Sequence, residues 1–178
     1  MSSLKAFARM RFLFLVGFVT VGFLFAGPAS ADEFTTIYIV RHAEKLEGSA
    51  DPSLSEAGQA RADELVRMIG GDGIDAVYVT AYARTRETGA PTAVQAGIDT
   101  IEYPAGDAQF VVSQILSNHA GERVLVVGHS NTVDDIARAL GAENVSDLTE
   151  HQYDQLFVIH RFGEEAHFDR LRYGAETP

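Results

Sequence analysis

Three short runs set chemistry-bearing side chains at the ends of apolar stretches. "TIYIVRHAEK" carries Arg41 and His42. "DAVYVTAYARTR" delivers Thr80, then Arg84 and Arg86. "RVLVVGHSN" ends on Gly128, His129, Ser130 and Asn131. Two His and two or three Arg on one edge make an anion site, because guanidinium forks suit the oxygens of a carboxylate or phosphate. A phosphoryl group adds an electrophilic phosphorus ringed by those oxygens, and attack on it needs a lone pair aimed in line. The chain has no Cys to supply one. It also has no GxxxxGK[ST] loop for a nucleotide and no HExxH or comparable metal cluster. An imidazole nucleophile among Arg side chains is the chemistry that remains.

Alternating strands and helices must position these residues. The β-branched and aromatic content of 36–42 and 75–80 predicts strands, and the nearly continuous apolar run opening 123–130 predicts a strand buried on both faces. Helical spacing predicts helices over 55–70, 83–97, 107–121 and 132–141. In the first, Leu54, Ala57, Ala60 or Arg61, Leu65, Met68 and Ile69 fall near one face, with Ser53 or Ser55 as cap. The second is disturbed near Pro91. The third places Phe110, Val111, Ile115 and Leu116 inward. A short strand over 99–103 and a final hairpin over 155–163 and 166–174 complete the pattern. The order argues for an α/β domain, a three-layer α/β/α sandwich around a mostly parallel central sheet. In such sheets, sites form beyond the carboxyl ends of the strands, where Arg41, His42, Arg84 and His129 would meet. His119, His151, His160 and His167 lack such company and read as surface or sheet residues.

At these residues the chain resembles the histidine phosphatase, or phosphoglycerate mutase-like, superfamily. "VRHAEK" is similar to its Arg-His pair, with Ala43 where Gly is common. "LSEAGQARADEL" matches a second segment at Leu54, Ser55, Gly58, Arg61 and Ala62. "VTAYARTRETGAP" supplies Arg84 and Thr88, and "VLVVGHSNTV" supplies His129. The resemblance implies a phosphoglycerate mutase-like fold and a phosphatase of the EC 3.1.3 class without metal or cofactor. It implies His42 as the nucleophile that becomes phosphohistidine, with Arg41, Arg84 and His129 on the phosphoryl oxygens. Asn131 adds a hydrogen bond to phosphate or substrate, and Arg86 points away from the pocket. The superfamily's long insertion bearing a general acid has no match here. Glu44, Glu102 and Asp107 are the candidates, although Asp107 stands where a helix cap is the ordinary role. The missing insertion implies a small cap and an open pocket.

The first 31 residues read apart from this domain. Lys5, Arg9 and Arg11 precede the apolar run "FLFLVGFVTVGFLFA", and Ala29-Ser30-Ala31 offers small residues for cleavage. A basic start, an apolar core and such a site make a secretory signal. The apolar run is shorter than the roughly 20 residues that span a bilayer. The expected organisation is a signal peptide over 1–31 and a histidine phosphatase domain over 32–178, secreted or periplasmic, with no stable membrane insertion after cleavage. Removal of the three basic residues would take the net charge from −11 to −14. Such acidity repels nucleic acid and anionic membranes; the resemblance implies a small phosphorylated substrate as the partner. Two other readings compete with an exported phosphohydrolase: a non-catalytic periplasmic binder of phosphorylated ligands, and a phosphomutase.

Overall fold

In the computed structural model, which describes residues 34–178, ten elements follow one another. They are β1 (Phe34–Arg41), α1 (Glu56–Ile69), β2 (Ala76–Val79), α2 (Ala83–Ala96), β3 (Thr100–Glu102), α3 (Ala108–Asn118), β4 (Arg123–Gly128), α4 (Val133–Ala139), β5 (Gln155–Phe162) and β6 (Glu165–Arg172). The expected signal peptide lies outside the described residues. Among the described residues no helix is long and apolar enough to cross a membrane.

The six strands form one sheet in the order β3-β2-β4-β1-β5-β6. The first four run parallel, and β5 and β6 return antiparallel as the expected hairpin. Alternation along β1 divides the core. Ile37 and Ile39 pack on one side with Val111, Ile115, Ile136 and Leu140, beneath α3 and α4. Tyr38 and Val40 pack on the other side with Leu65, Ile69 and Ala93, beneath α1 and α2. The result is the expected three-layer α/β/α sandwich. Each fully buried Leu or Ile contributes on the order of 1.5–3 kcal/mol by leaving water, which is why the central strands are apolar on both faces.

Several local expectations give way to packing. In α1 the inward residues are Gly58, Arg61, Ala62, Leu65 and Ile69, while Met68 is exposed. Ser55 is the cap, its side chain accepting from the Gly58 amide. Gly58 is needed because a Cβ there would stand 2.1 Å from the Glu44 carbonyl oxygen. Pro91 sits inside α2 without ending it. The helix is held close to the sheet at Gly89, where a Cβ would lie 2.9 Å from a Val79 methyl. In α3 the buried face is Val111, Val112 and Ile115, and Phe110 and Leu116 are exposed. On a 3.6-residue period Phe110 falls on the far side of the helix from Val112 and Ile115, while Leu116 borders the buried stripe at its edge.

Candidate active site

The parallel register of β1 and β4 pairs Arg41 with Gly128, and the His42 amide donates to the Gly128 carbonyl at 2.9 Å. The next residue on each strand is a histidine. Their rings therefore meet edge to face, with centroids 5.4 Å apart. Arg84 enters from the first turn of α2, one strand further along the sheet edge. Together Arg41, His42, Arg84 and His129 line one cavity of about 370 Å³, with Lys45, Tyr82, Ser130, Asn131 and Glu150 among its other walls. All four residues singled out at the strand ends are thus brought together, and Asn131 joins them.

His42 is held in one tautomer. Its Nδ1 lies 2.8 Å from the Ala43 carbonyl oxygen, which can only accept, so Nδ1 carries the proton and Nε2 keeps its lone pair. The Ala43 amide donates in turn to Thr88 Oγ1 at 2.9 Å, and that hydroxyl donates to the Arg84 carbonyl at 2.7 Å. Thr88 thereby ties the turn that orients His42 to the helix that carries Arg84. His129 Nε2 contacts Thr80 Oγ1 at 3.1 Å, and its Nδ1 faces Arg84 Nη2 at 3.5 Å. A guanidinium only donates, so Nδ1 is the acceptor and Nε2–H donates to Thr80.

The two guanidinium groups are used differently. Arg41 is almost wholly buried. Its Nη1 donates to the carbonyls of Thr149 and Glu150 at 3.2 and 2.7 Å, and its Nη2 reaches a Glu150 carboxylate oxygen and the Tyr153 hydroxyl at 3.2 and 3.3 Å. The group also lies 4.0 Å above the Tyr153 ring. Arg84 stacks 4.2 Å over Tyr82, and among the described residues its one acid is the distant Asp51, at 3.9 Å. The Nε–H of each arginine is buried and unpartnered among the described residues. Both side chains line the cavity, so an anion bound there would meet two guanidinium groups.

Burial pushes the His42 imidazole down to about 3, reinforced by Arg41, His129 and Arg84 against the opposing Ala43 hydrogen bond. Burial, Arg84 and Arg41 push His129 down to about 4. Both rings are neutral at pH 7, and a neutral imidazole is the nucleophilic form. The same shifts make stability depend on pH. The unfolded imidazoles titrate near ~6.5, so below that pH the unfolded chain binds protons that the folded chain refuses, and stability falls as the medium is acidified. For His42 alone the loss at pH 5 is about 2 kcal/mol. Urea midpoints measured from pH 7 to pH 5 should fall more steeply for the wild type than for His42→Ala. Parallel curves would contradict the assignment of this strain to His42.

Two of the acids considered from sequence are engaged elsewhere, which corrects the candidate proton donors. Glu44 turns away from the cavity to Arg61, accepting from its Nε and Nη2 at 2.7 to 3.1 Å. Asp107 caps α3, accepting from the Phe110 amide at 2.9 Å. Neither lines the cavity: the Arg61 guanidinium holds Glu44, and the Phe110 amide holds Asp107 as a cap. Glu102 lies 3.6 Å from Arg86, which points away from the cavity as expected. Ser130, read from the same strand end as His129, also lines the cavity, whereas sequence reasoning missed Lys45, Tyr82 and Glu150. The first two are close in the chain to residues it had singled out. Glu150 sits on a loop before β5 with no signal of its own.

Residues 37–105 match a family model described as the histidine phosphatase superfamily (branch 1). The match holds Arg41, His42 and Arg84, and His129 follows beyond it. Over this stretch the chain is similar to that superfamily, and solved structures extend the likeness of fold beyond it. Among solved structures, the chain is similar to the protein histidine phosphatase SixA complexed with tungstate, at 18% identity and TM-score 0.63 over 77% of this chain and 96% of that one. It is similar to YhfR of Bacillus stearothermophilus, at 19% identity and TM-score 0.60 over 75% and 94%. A third is phosphoserine phosphatase of Entamoeba histolytica in complex with 3-phosphoglyceric acid, at 15% and 0.56 over 80% and 98%. At these identities the likeness is one of fold. No curated protein sequence matches the chain.

Proposed function

We propose that this protein is an exported phosphohydrolase that cleaves phosphomonoesters, or related phosphorylated groups, through a phosphohistidine on His42. The observation that carries the reading is the His42 ring, fixed by Ala43 with its Nε2 lone pair free, on a cavity walled by Arg41, Arg84 and His129. In this mechanism Nε2 attacks phosphorus, the bond to the leaving oxygen breaks, and water then displaces the imidazole. Arg84 and the Nε–H of Arg41 hold the phosphoryl oxygens and gain most as negative charge concentrates there. A dianion beside His129 favours its protonation at Nδ1, which turns that ring from acceptor into a further donor. Asn131 reaches the bound group from the rim. Export rests on the segment 1–31, with the mature chain beginning at Asp32.

Purified residues 32–178 should release inorganic phosphate from several members of a panel spanning sugar phosphates, aryl phosphates, phosphoamino acids and phosphohistidine. Tight phosphate binding with no release from any of them would instead favour the non-catalytic binder. Transfer to a second hydroxyl faster than release to water would favour the mutase.

A further inference from the structure

An alkoxide leaves phosphorus poorly unless it receives a proton, and the cavity has few groups able to give one. Guanidinium is too weak an acid to give one. In the free site both imidazoles are neutral at pH 7; His129 gives its Nε2–H to Thr80, and a proton gained at Nδ1 when the dianion binds is held against the phosphoryl oxygens rather than the leaving group. Glu44 and Asp107 are turned elsewhere. Among the described residues, a single carboxyl group lines the cavity, that of Glu150.

Its setting is specific. One carboxylate oxygen accepts from Ser130 Oγ at 2.7 Å, and the other lies 3.2 Å from Arg41 Nη2. Ser130 adjoins His129, and Arg41 adjoins His42, so the carboxyl group bridges the two strand ends that bear the histidines. The backbone of the same residue is anchored too, because the Glu150 carbonyl accepts from Arg41 Nη1. The side chain remains 76% exposed at the mouth, where a leaving group would depart and where protons exchange with solvent.

We propose that Glu150 is the proton donor to the leaving group, an assignment that rests on the phosphatase reading above. The Ser130 hydrogen bond and the nearby charges of Arg41, His151 and Lys45 keep its carboxyl ionised in the free site. A phosphate dianion brought against Arg41 competes for that cation and repels the carboxylate, so protonation becomes favourable. The proton arrives from solvent or with a monoanionic substrate, whose second ionisation lies near ~6. In the first step the His42 Nε2–P bond forms, the P–O bond to the leaving group breaks, and the Glu150 proton moves to the departing oxygen. In the second step the Glu150 carboxylate takes a proton from the attacking water as the N–P bond breaks, which restores both residues.

The test compares Glu150→Gln and Glu150→Asp with the wild type on two esters. β-Glycerophosphate has a poor leaving group, whereas p-nitrophenyl phosphate leaves with little help. Proton donation predicts that the ratio of kcat/KM on the alkyl ester to kcat/KM on the nitrophenyl ester, which reports loss of the leaving group and not the shared hydrolysis of the phosphoenzyme, drops about 100-fold in Glu150→Gln, with partial recovery in Glu150→Asp. An unchanged ratio, whether both rates fall together or neither falls, would overturn the assignment by showing that Glu150 only braces Arg41 or is idle. A wild type inactive on both esters, and on the wider panel, would overturn the phosphatase reading and the assignment with it.

Discussion

His42→Ala is expected to lose about four orders of magnitude or more in kcat while still binding inorganic phosphate. The size follows from what is removed. The methyl group has no lone pair, so no phosphoenzyme forms, and loss of a nucleophile in a covalent mechanism typically costs this much. Binding survives because Arg84, Arg41 and His129 are untouched, and only the imidazole wall of the cavity is gone. The measurement is paired: steady-state turnover for the loss, and rapid acid-stable or base-stable trapping of labelled protein for the intermediate. Wild-type protein should retain label after base quench and lose it in acid, as a phosphoramidate does, and the variant should carry none. A variant turning over at more than about one hundredth of the wild-type rate would remove His42 from the chemistry. The variant should also unfold no more easily than the wild type at pH 5, because a buried ring that resists protonation is a liability there. Function and stability pull in opposite directions at this residue.

The largest expected stability effect lies at Arg61, outside the cavity. Arg61 is 3% exposed. Its guanidinium holds the Glu44 carboxylate from Nε and Nη2, and donates to the Tyr173 carbonyl at 2.7 Å and the Ala175 carbonyl at 2.8 Å. Burial works against its charge, but the hydrogen bonds and charge of Glu44 more than offset this, so it stays protonated. Replacing it with Ala strands a carboxylate and two carbonyls, at a cost of about 3–5 kcal/mol. That is a large part of the roughly 5–15 kcal/mol that holds a domain together. Denaturant titration should show the loss, and Glu44→Gln should cost less because its amide still accepts from Arg61. A loss below about 1 kcal/mol for Arg61→Ala would mean that the network relaxes without it.

The effect should spread toward the cavity by a traceable path. Beyond Ala175, Thr177 donates from its hydroxyl to the buried Asp154 at 2.8 Å and accepts from the Tyr153 amide at 3.1 Å. Tyr153 is the ring on which Arg41 rests. The chain end thus braces the loop that grips Arg41.

What the sequence determined by itself is the set of local events. The apolar alternation of 36–40 and 124–127 makes strands, Ser55 starts a helix, and charge follows apolar residues at the strand ends. Those periodicities act over a few residues, so His42, His129 and Arg84 were legible as candidates that the fold brings to one cavity, and the α/β order was legible from their spacing. Only the tertiary structure decided what stands opposite them. The order β2-β4-β1 makes His42 and His129 neighbours although 87 positions separate them in sequence. Glu44 is two residues from His42, yet it faces Arg61, because the turn after β1 packs against Gly58 in the first turn of α1. Glu150, distant in sequence, faces the cavity because Arg41 captures the backbone carbonyls of its loop. A carboxylate carries no local pattern that says which cation it will meet. That choice belongs to the packing of β1, α1 and the loop before β5, where burial and hydrogen bonding settle each charge on one partner.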